Sequence, residues 1–287
     1  MTQTATPGPG SYSDVEYVFE PHAASTPDLS KYVASLWERR AFMVELATAD
    51  LRSQRSRSAL GSLWGILDPL FQAGIYFFLY VVMRGASGER VSFLPVLIAG
   101  IFLFTLSTAA LGDGGSSIRR AKNLMLNSTF PRALLPITSV YKSLRKFLPS
   151  ACVLLVLFPL VGGELGAGLF VLPLLFAIQT VMSVGIALLV STFVVLVPDA
   201  TNVVSYLTRI LFFATPVIYP VSLLPDAARL LVCWQPLFAL FASYQAVFSG
   251  KVPSLGLIVQ AALWAIALLV IGGRVFLRHE RQFAMHL

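Results

Sequence analysis

The sequence predicts an all-α integral membrane protein of six transmembrane helices, and three observations predict it. The 287 residues are 56% hydrophobic and only 12% charged, with a mean hydropathy of +0.77, where a soluble domain is roughly 25% charged. Six stretches are long and apolar enough to cross a hydrocarbon core of about 30 Å. The basic residues gather on one side of those stretches, which is the topological bias of a multi-pass protein.

Residues 1–30 mix Pro, Gly, Ser and acids with no apolar core, so they read as a mobile cytoplasmic tail and not as a secretory signal. Residues 31–62 place Val33, Leu36, Trp37, Phe42, Val44 and Leu46 among Arg39, Arg40, Arg52, Arg55 and Arg57. That pattern predicts an amphipathic helix lying in the cytoplasmic interface, rings in the headgroups and arginines on lipid phosphate. The membrane domain at 63–287 then carries spans at Leu63–Met83, Phe93–Leu111, Leu144–Val161, Leu169–Val197, Val203–Tyr219 and Leu255–Val275. Of the 21 Lys and Arg residues, sixteen fall on the side of the termini, four on the other, and Arg209 inside the fifth span. Both termini are therefore expected in the cytoplasm. Because the +7 charge is topological, nucleic acid is not an expected partner.

The overlong fourth span holds Gln179, Thr180, Ser183, Gly185, Ser191 and Thr192, residues that favour close helix packing over lipid exposure. The fifth places Asn202, Ser205, Arg209, Phe212, Pro216 and Tyr219 at steps of three and four, which predicts one helical face. A central arginine facing lipid costs about 2.5–3.5 kcal/mol even on lenient insertion scales, so that face should look onto protein or water. Pro216 and Pro220 should kink or stop the helix. The apolar patches that follow, up to Lys251, are each too short to span. A re-entrant hairpin over about 220–251 is expected, with Pro216, Pro220 and Pro225 making the break and a gate at the outer mouth.

Residues 113–136, DGGSSIRRAKNLMLNSTFPRALLP, form the most basic connection. Ile118, Leu124, Met125 and Phe130 alternate there with polar positions, as in a short surface helix ended by Pro131. No G-x-x-x-x-G-K-[ST] string occurs; the nearest, SGKV at 249–252, lacks the first Gly and the hydroxyl. The chain is thus not expected to hydrolyse ATP. Cys152 and Cys233 do not make a disulfide framework, and His22, His279 and His286 lie in the terminal segments. No metal site, catalytic group or cofactor of its own is expected, and a membrane-embedded enzyme is the least favoured class.

A resemblance follows from three strings. LRSQRSRSALGSLWGILDPL (51–70) resembles the basic stretch and LG.LW..L.PL that open the first span of permease subunits in polysaccharide-exporting ABC transporters, the Wzm-type family of O-antigen, teichoic-acid and galactan exporters. SIRRAKNLMLNSTFPRALLP (117–136) is similar to that family's coupling helix, here about 113–132. FFATPVIYPVSLLP (212–225) is similar to its FF.TPV.YP.S.LP string. No tyrosine stands in the basic stretch, and Pro198–Asp199 replaces the family's Arg-Asp after the fourth span.

The resemblance implies a homodimer working with two ATPase subunits that bind ATP and Mg. Ile118, Arg119, Arg120, Asn123, Leu124, Phe130, Pro131 and Arg132 would dock on them. The implied cargo is a polysaccharide on a polyprenyl diphosphate, leaving through the bacterial inner membrane. A drug or small lipid is the alternative cargo. The excess of Arg (16) over Lys (5) points to a GC-rich bacterial genome and puts a galactan first among the polysaccharides. Aromatic and polar residues suit a sliding sugar chain, and Gln72, Tyr76 and Tyr80 share one face of the first span at steps of four. With Asn202, Ser205, Arg209, Phe212 and Tyr219 they are the expected lining of the cargo path. Arg209 is expected either to meet the diphosphate or to hydrogen-bond neighbouring carbonyls.

Overall fold

The computed structural model describes residues 29–56, 60–84, 93–127, 130–163, 166–225 and 232–286, all helices and connections. Residues 1–28 of the segment read as a tail, and 226–231 within the expected hairpin, lie outside them, while Leu29 and Ser30 already belong to the first helix.

Two helices, α1 (Leu29–Glu38) and α2 (Arg40–Ser56), share the segment expected to be one interface helix, with a break at Arg39. They leave Val33, Trp37 and Phe42 exposed. Next come α3 (Trp64–Arg84) and α4 (Leu94–Ala109), the latter running on through a π-turn at Ala110–Gly114. The basic connection folds into α5 (Ser117–Arg120) and α6 (Lys122–Asn127). It leads to α7 (Leu134–Leu160), α8 (Leu172–Leu196, entered through a 3-10 turn at Ala167–Val171) and α9 (Ala200–Ala214). After a proline-rich passage follow α10 (Pro236–Phe248), α11 (Leu255–His279) and a last turn α12 (Phe283–His286).

Among the described residues four helices are both apolar and long enough to cross a bilayer, namely Leu94–Gly114, Leu134–Leu160, Ala167–Leu196 and Leu255–Gln282. The 21-residue α3 reaches about 31 Å at 1.5 Å per residue, also a crossing length. The protein is thus a multi-pass membrane protein. The fifth expected span differs in form. α9 stops at Ala214 after 15 residues, about 22 Å, with Thr215 extended at ψ 141°. The residue before a proline is pushed out of the α region, so Pro216 ends the helix one residue upstream of itself. Pro216 and Tyr219 therefore leave the face that carries Asn202, Ser205, Arg209 and Phe212.

One side-chain amide holds the passage beyond Pro216. Gln245 on α10 donates to the carbonyls of Pro216 (3.0 Å) and Tyr219 (2.7 Å) and accepts from the amide of Val221 (3.0 Å). α10 is the other short helix, 13 residues with ten of them buried, about 20 Å long. A second buried amide, Gln179 of α8, accepts from the Tyr244 hydroxyl (2.8 Å) and donates to the Leu103 carbonyl (2.9 Å) and Ser107 Oγ (3.2 Å). It pins α4, α8 and α10 together inside an otherwise apolar core.

The closest helix pair is α8 with α11, where Gly185 faces Gly272. A Cβ on either would strike the partner's backbone, so only glycine permits this approach. Gly272→Leu is expected to lower thermal stability sharply or prevent folding. Gly273→Ala, which has open space within 4 Å, should stabilise slightly by helix propensity, about 0.5–1 kcal/mol. Thermal unfolding of the two purified variants in detergent checks the pair.

Candidate functional site: an intramembrane cleft and a basic-end platform

A cleft of about 410 Å³ opens between α3, α4 and α9. α3 contributes Asp68, Gln72 and Tyr76, which lie at steps of four on one face. α4 contributes Phe104, Thr105 and Thr108, and α9 contributes Thr208, Arg209, Phe212 and Phe213. Four of the residues expected from sequence, Gln72, Tyr76, Arg209 and Phe212, thus surround one space. Asp68 joins them. Asn202 and Ser205 are exposed on α9 outside the cleft lining. Tyr219 turns its hydroxyl back to the Ala214 carbonyl (3.1 Å), closing the helix end. The side chain of Tyr80 lies outside the described residues.

The cleft has an aromatic floor. Phe212 packs on Tyr76 (5.3 Å between centroids) and edge-on against Phe104 (5.2 Å), and Phe104 continues to Phe241 of α10 (5.6 Å). Thr105, Thr108 and Thr208 donate their hydroxyl protons to carbonyls of their own helices. Their oxygen lone pairs remain available as acceptors. Asp68, Gln72 and Arg209 make no hydrogen bond or ion pair to any described residue; Arg209 only lies against the Tyr206 ring at 5.9 Å. The wall therefore offers a carboxylate, an amide, a guanidinium and hydroxyl oxygens to whatever occupies the space.

The basic end of the bundle is built differently. Ile118 is fully buried in an apolar cluster with Met125, Leu135, Leu188, Phe276 and Phe283, so the segment expected as a surface helix is anchored by its own apolar positions. Arg119 donates to the carbonyls of Val197 and Pro198 (both 3.2 Å), covering the end of α8. Arg120 pairs with Asp113 at 2.9 Å. Lys122 and Asn123 are exposed, Leu124, Phe130 and Pro131 half-buried, and Phe130 stacks on Phe42 of α2 (5.8 Å).

Glu280, five positions past Val275, fastens this platform to both termini. Its carboxylate accepts from the Tyr32 hydroxyl (2.9 and 3.0 Å) and the Arg132 amide (2.7 Å), and its carbonyl accepts from the Arg132 guanidinium. The Ala133 amide donates in turn to the Tyr32 oxygen (3.3 Å). Burial pushes the Glu280 carboxyl above its ordinary range, its donors pulling the other way less strongly, and burial beside Glu280 pushes the Tyr32 hydroxyl far up. Sequence reading missed Glu280, which sits in a charged tail like any solvated residue. It also missed Gln245, although a lone amide in an apolar helix was a usable signal.

Spanning-length helices with a polar cleft between them are the parts of a membrane transport subunit. Residues 43–249 match the ABC-2 type transporter family, and the chain belongs to it. It is similar to the "O-antigen export system permease protein RfbA" of Myxococcus xanthus, 26% identical over 257 residues, covering 88% of this chain and 98% of that one. It is also similar to the protein of that name from Klebsiella pneumoniae, 25% identical over 245 residues, covering 84% and 93%.

The Glu280 fastening generates a pH test. The ionised carboxyl is the disfavoured form, so its contribution to stability is complete below the ordinary value of 4.5 and is lost as pH rises through the shifted one. Thermal unfolding of the wild type should fall across that window, and Glu280→Gln should flatten the fall. Tyr32→Phe, which leaves buried partners short of a hydrogen bond, should cost about 1–3 kcal/mol.

Proposed function

We propose that the chain is the membrane-spanning permease of an ABC exporter that moves a polysaccharide on a polyprenyl-diphosphate carrier outward across the bacterial inner membrane. O-antigen-like chains, galactan among them, are the cargo class. The family supplies the transport role, and the names of the relatives support the polysaccharide.

The observation that carries the reading is the set of unpartnered polar groups in the cleft. Elsewhere in the bundle the buried Gln179 and the half-buried Gln245 are hydrogen-bonded through both ends of their amides. Asp68, Gln72 and Arg209 line the cleft exposed in the single chain and without a described partner, and at span depth such groups need protein or a water-filled path beside them. Sugar hydroxyls both donate and accept, and the apolar C–H faces of sugars stack on rings such as Tyr76 and Phe212. Arg209 suits the diphosphate as a charge-assisted, planar donor.

In this reading the chain crosses six times, with both termini and the basic platform in the cytoplasm. The passage from Pro216 to Lys251 dips in from the outer face and returns as a re-entrant hairpin, for which the shortness of α10 and its proximity to the outer connections speak. Gly166 and Gly168, at the start of α8, pack directly on Gly250 and Lys251 at the end of α10. Two copies enclose the path. The apolar faces flanking the cleft, Phe71, Ile75 and Phe78 on α3 and Tyr206, Ile210 and Phe213 on α9, are exposed in the single chain. Two separate ATPase subunits bind ATP and Mg and dock on Arg120, Lys122 and Asn123.

Deleting the gene should trap lipid-linked polysaccharide in the cytoplasmic leaflet, read by surface labelling of intact cells. Surface polysaccharide that persists while resistance to small amphiphiles is lost would overturn the cargo. Arg209→Met should cut export about tenfold or more at unchanged protein level, with Arg209→Lys retaining part of it. Intact export in Arg209→Met would end the diphosphate role.

A further inference from the structure

We propose that a second cavity, at the basic end, binds the phosphate of an anionic lipid headgroup. It measures about 480 Å³ and lies between α2, the α5–α6 segment and α7. It is separate from the cleft.

The buried face of α7 carries Leu135, Ser139 and Lys142 at steps of four and three, and all three line the cavity. Lys142 is 5% exposed and Ser139 7%. An ammonium has three donor hydrogens and needs acceptors for them when withdrawn from water. Lys142 has one described partner, Asp50 of α2 at 3.3 Å, and that carboxylate is itself more than half exposed, at 54%. The Ser139 hydroxyl and the Gln54 amide also line the space without a hydrogen bond to a described residue. Arg120, turned to Asp113 by its ion pair, adds a second positive charge to the wall.

With Arg120 already paired to Asp113, the donors left to the cavity are the buried Lys142 ammonium, shared with one half-exposed carboxylate, the Ser139 hydroxyl and the Gln54 amide, a set that suits an anion with several oxygens. A phosphate diester fits that donor set. The position selects its source. α2 joins α1, which holds Trp37 exposed at 69% beside Arg40 (5.2 Å from its ring), the composition of a segment at headgroup depth. From Lys142 to Leu160 α7 runs on for about 27 Å, close to the thickness of the hydrocarbon core, so a crossing that ends at Leu160 sets Lys142 at the headgroup layer. Leu46, Leu124 and Leu135 supply apolar wall for the glycerol end of the lipid. A lipid held there bridges the interface helix to the basic platform.

The test uses the full chain purified in neutral detergent and washed with increasing detergent, with retained lipid counted by mass spectrometry. Phosphatidylglycerol should stay bound through washes that remove phosphatidylcholine. Lys142→Gln should weaken its retention about tenfold and Ser139→Ala by a smaller factor. Asp50→Asn, which removes the competing carboxylate, should strengthen retention. Equal retention in wild type and Lys142→Gln would overturn the site. So would a loss in Asp50→Asn as large as that in Lys142→Gln, because the pair would then be a strut between α2 and α7. Should millimolar inorganic phosphate raise the thermal stability of the wild type and not of Lys142→Gln, with no phosphatidylglycerol retained, the site takes free phosphate and the lipid assignment fails. Ser139→Ala leaves the Lys142–Asp50 pair in place, so it remains readable if Lys142→Gln does not fold.

Discussion

In an apolar surrounding a backbone carbonyl or amide without a partner costs several kcal/mol, and this bundle is arranged around one place where the chain incurs that risk. Pro216 and Pro220 remove two donors and end α9 inside the span. The carbonyls of Pro216 and Tyr219 and the amide of Val221 would be left bare. Gln245 meets all three from α10, using both ends of its amide. Because α10 must bring Gln245 there, it must be short, buried and inserted beside α4. Close approach completes the seating, since a Cβ on Gly100 would come within 2.9 Å of the Val217 carbonyl.

The same rule divides the polar residues into two populations. Gln179, Gln245 and Tyr244 are saturated by neighbours and act as fasteners, because each hydrogen bond in a low-dielectric interior is expensive to leave unmade. Asp68, Gln72 and Arg209 share one cleft and have no such partners. A fastener has to leave no donor or acceptor free, whereas the cleft groups keep theirs open to whatever fills the space. Saturation, more than residue type, separates the two roles.

At the basic end the problem is mechanical. The basic connection is held to the helices around it by burial and by one carboxylate. Here Ile118, Met125 and Leu135 bury themselves with Phe276 and Phe283. Glu280 ties Arg132 to Tyr32 across 148 and 248 positions of sequence. First helix, basic connection and last helix are thus fastened to one another.

Composition and patterning determined the helical membrane class, because a chain this apolar has few other ways to pair its backbone in lipid. They also determined where α3, α4, α7, α8 and α11 run, since the length of an apolar stretch is a local property. The end of α9 near the proline pair was legible for the same reason, although its last helical residue lies short of Pro216. That Gln72, Tyr76, Arg209 and Phe212 would meet followed only in part: each shared a face within its own helix, and nothing in the spacing told which helices would adjoin. Asp68 at the same cleft, Asn202 and Ser205 outside it, and Tyr219 folded back on Ala214 were decided by packing. So were the role of Gln245 and the closure through Glu280. Sequence sets which groups a chain must satisfy, and contacts between distant segments, which carry no local signature, set which of them satisfy one another.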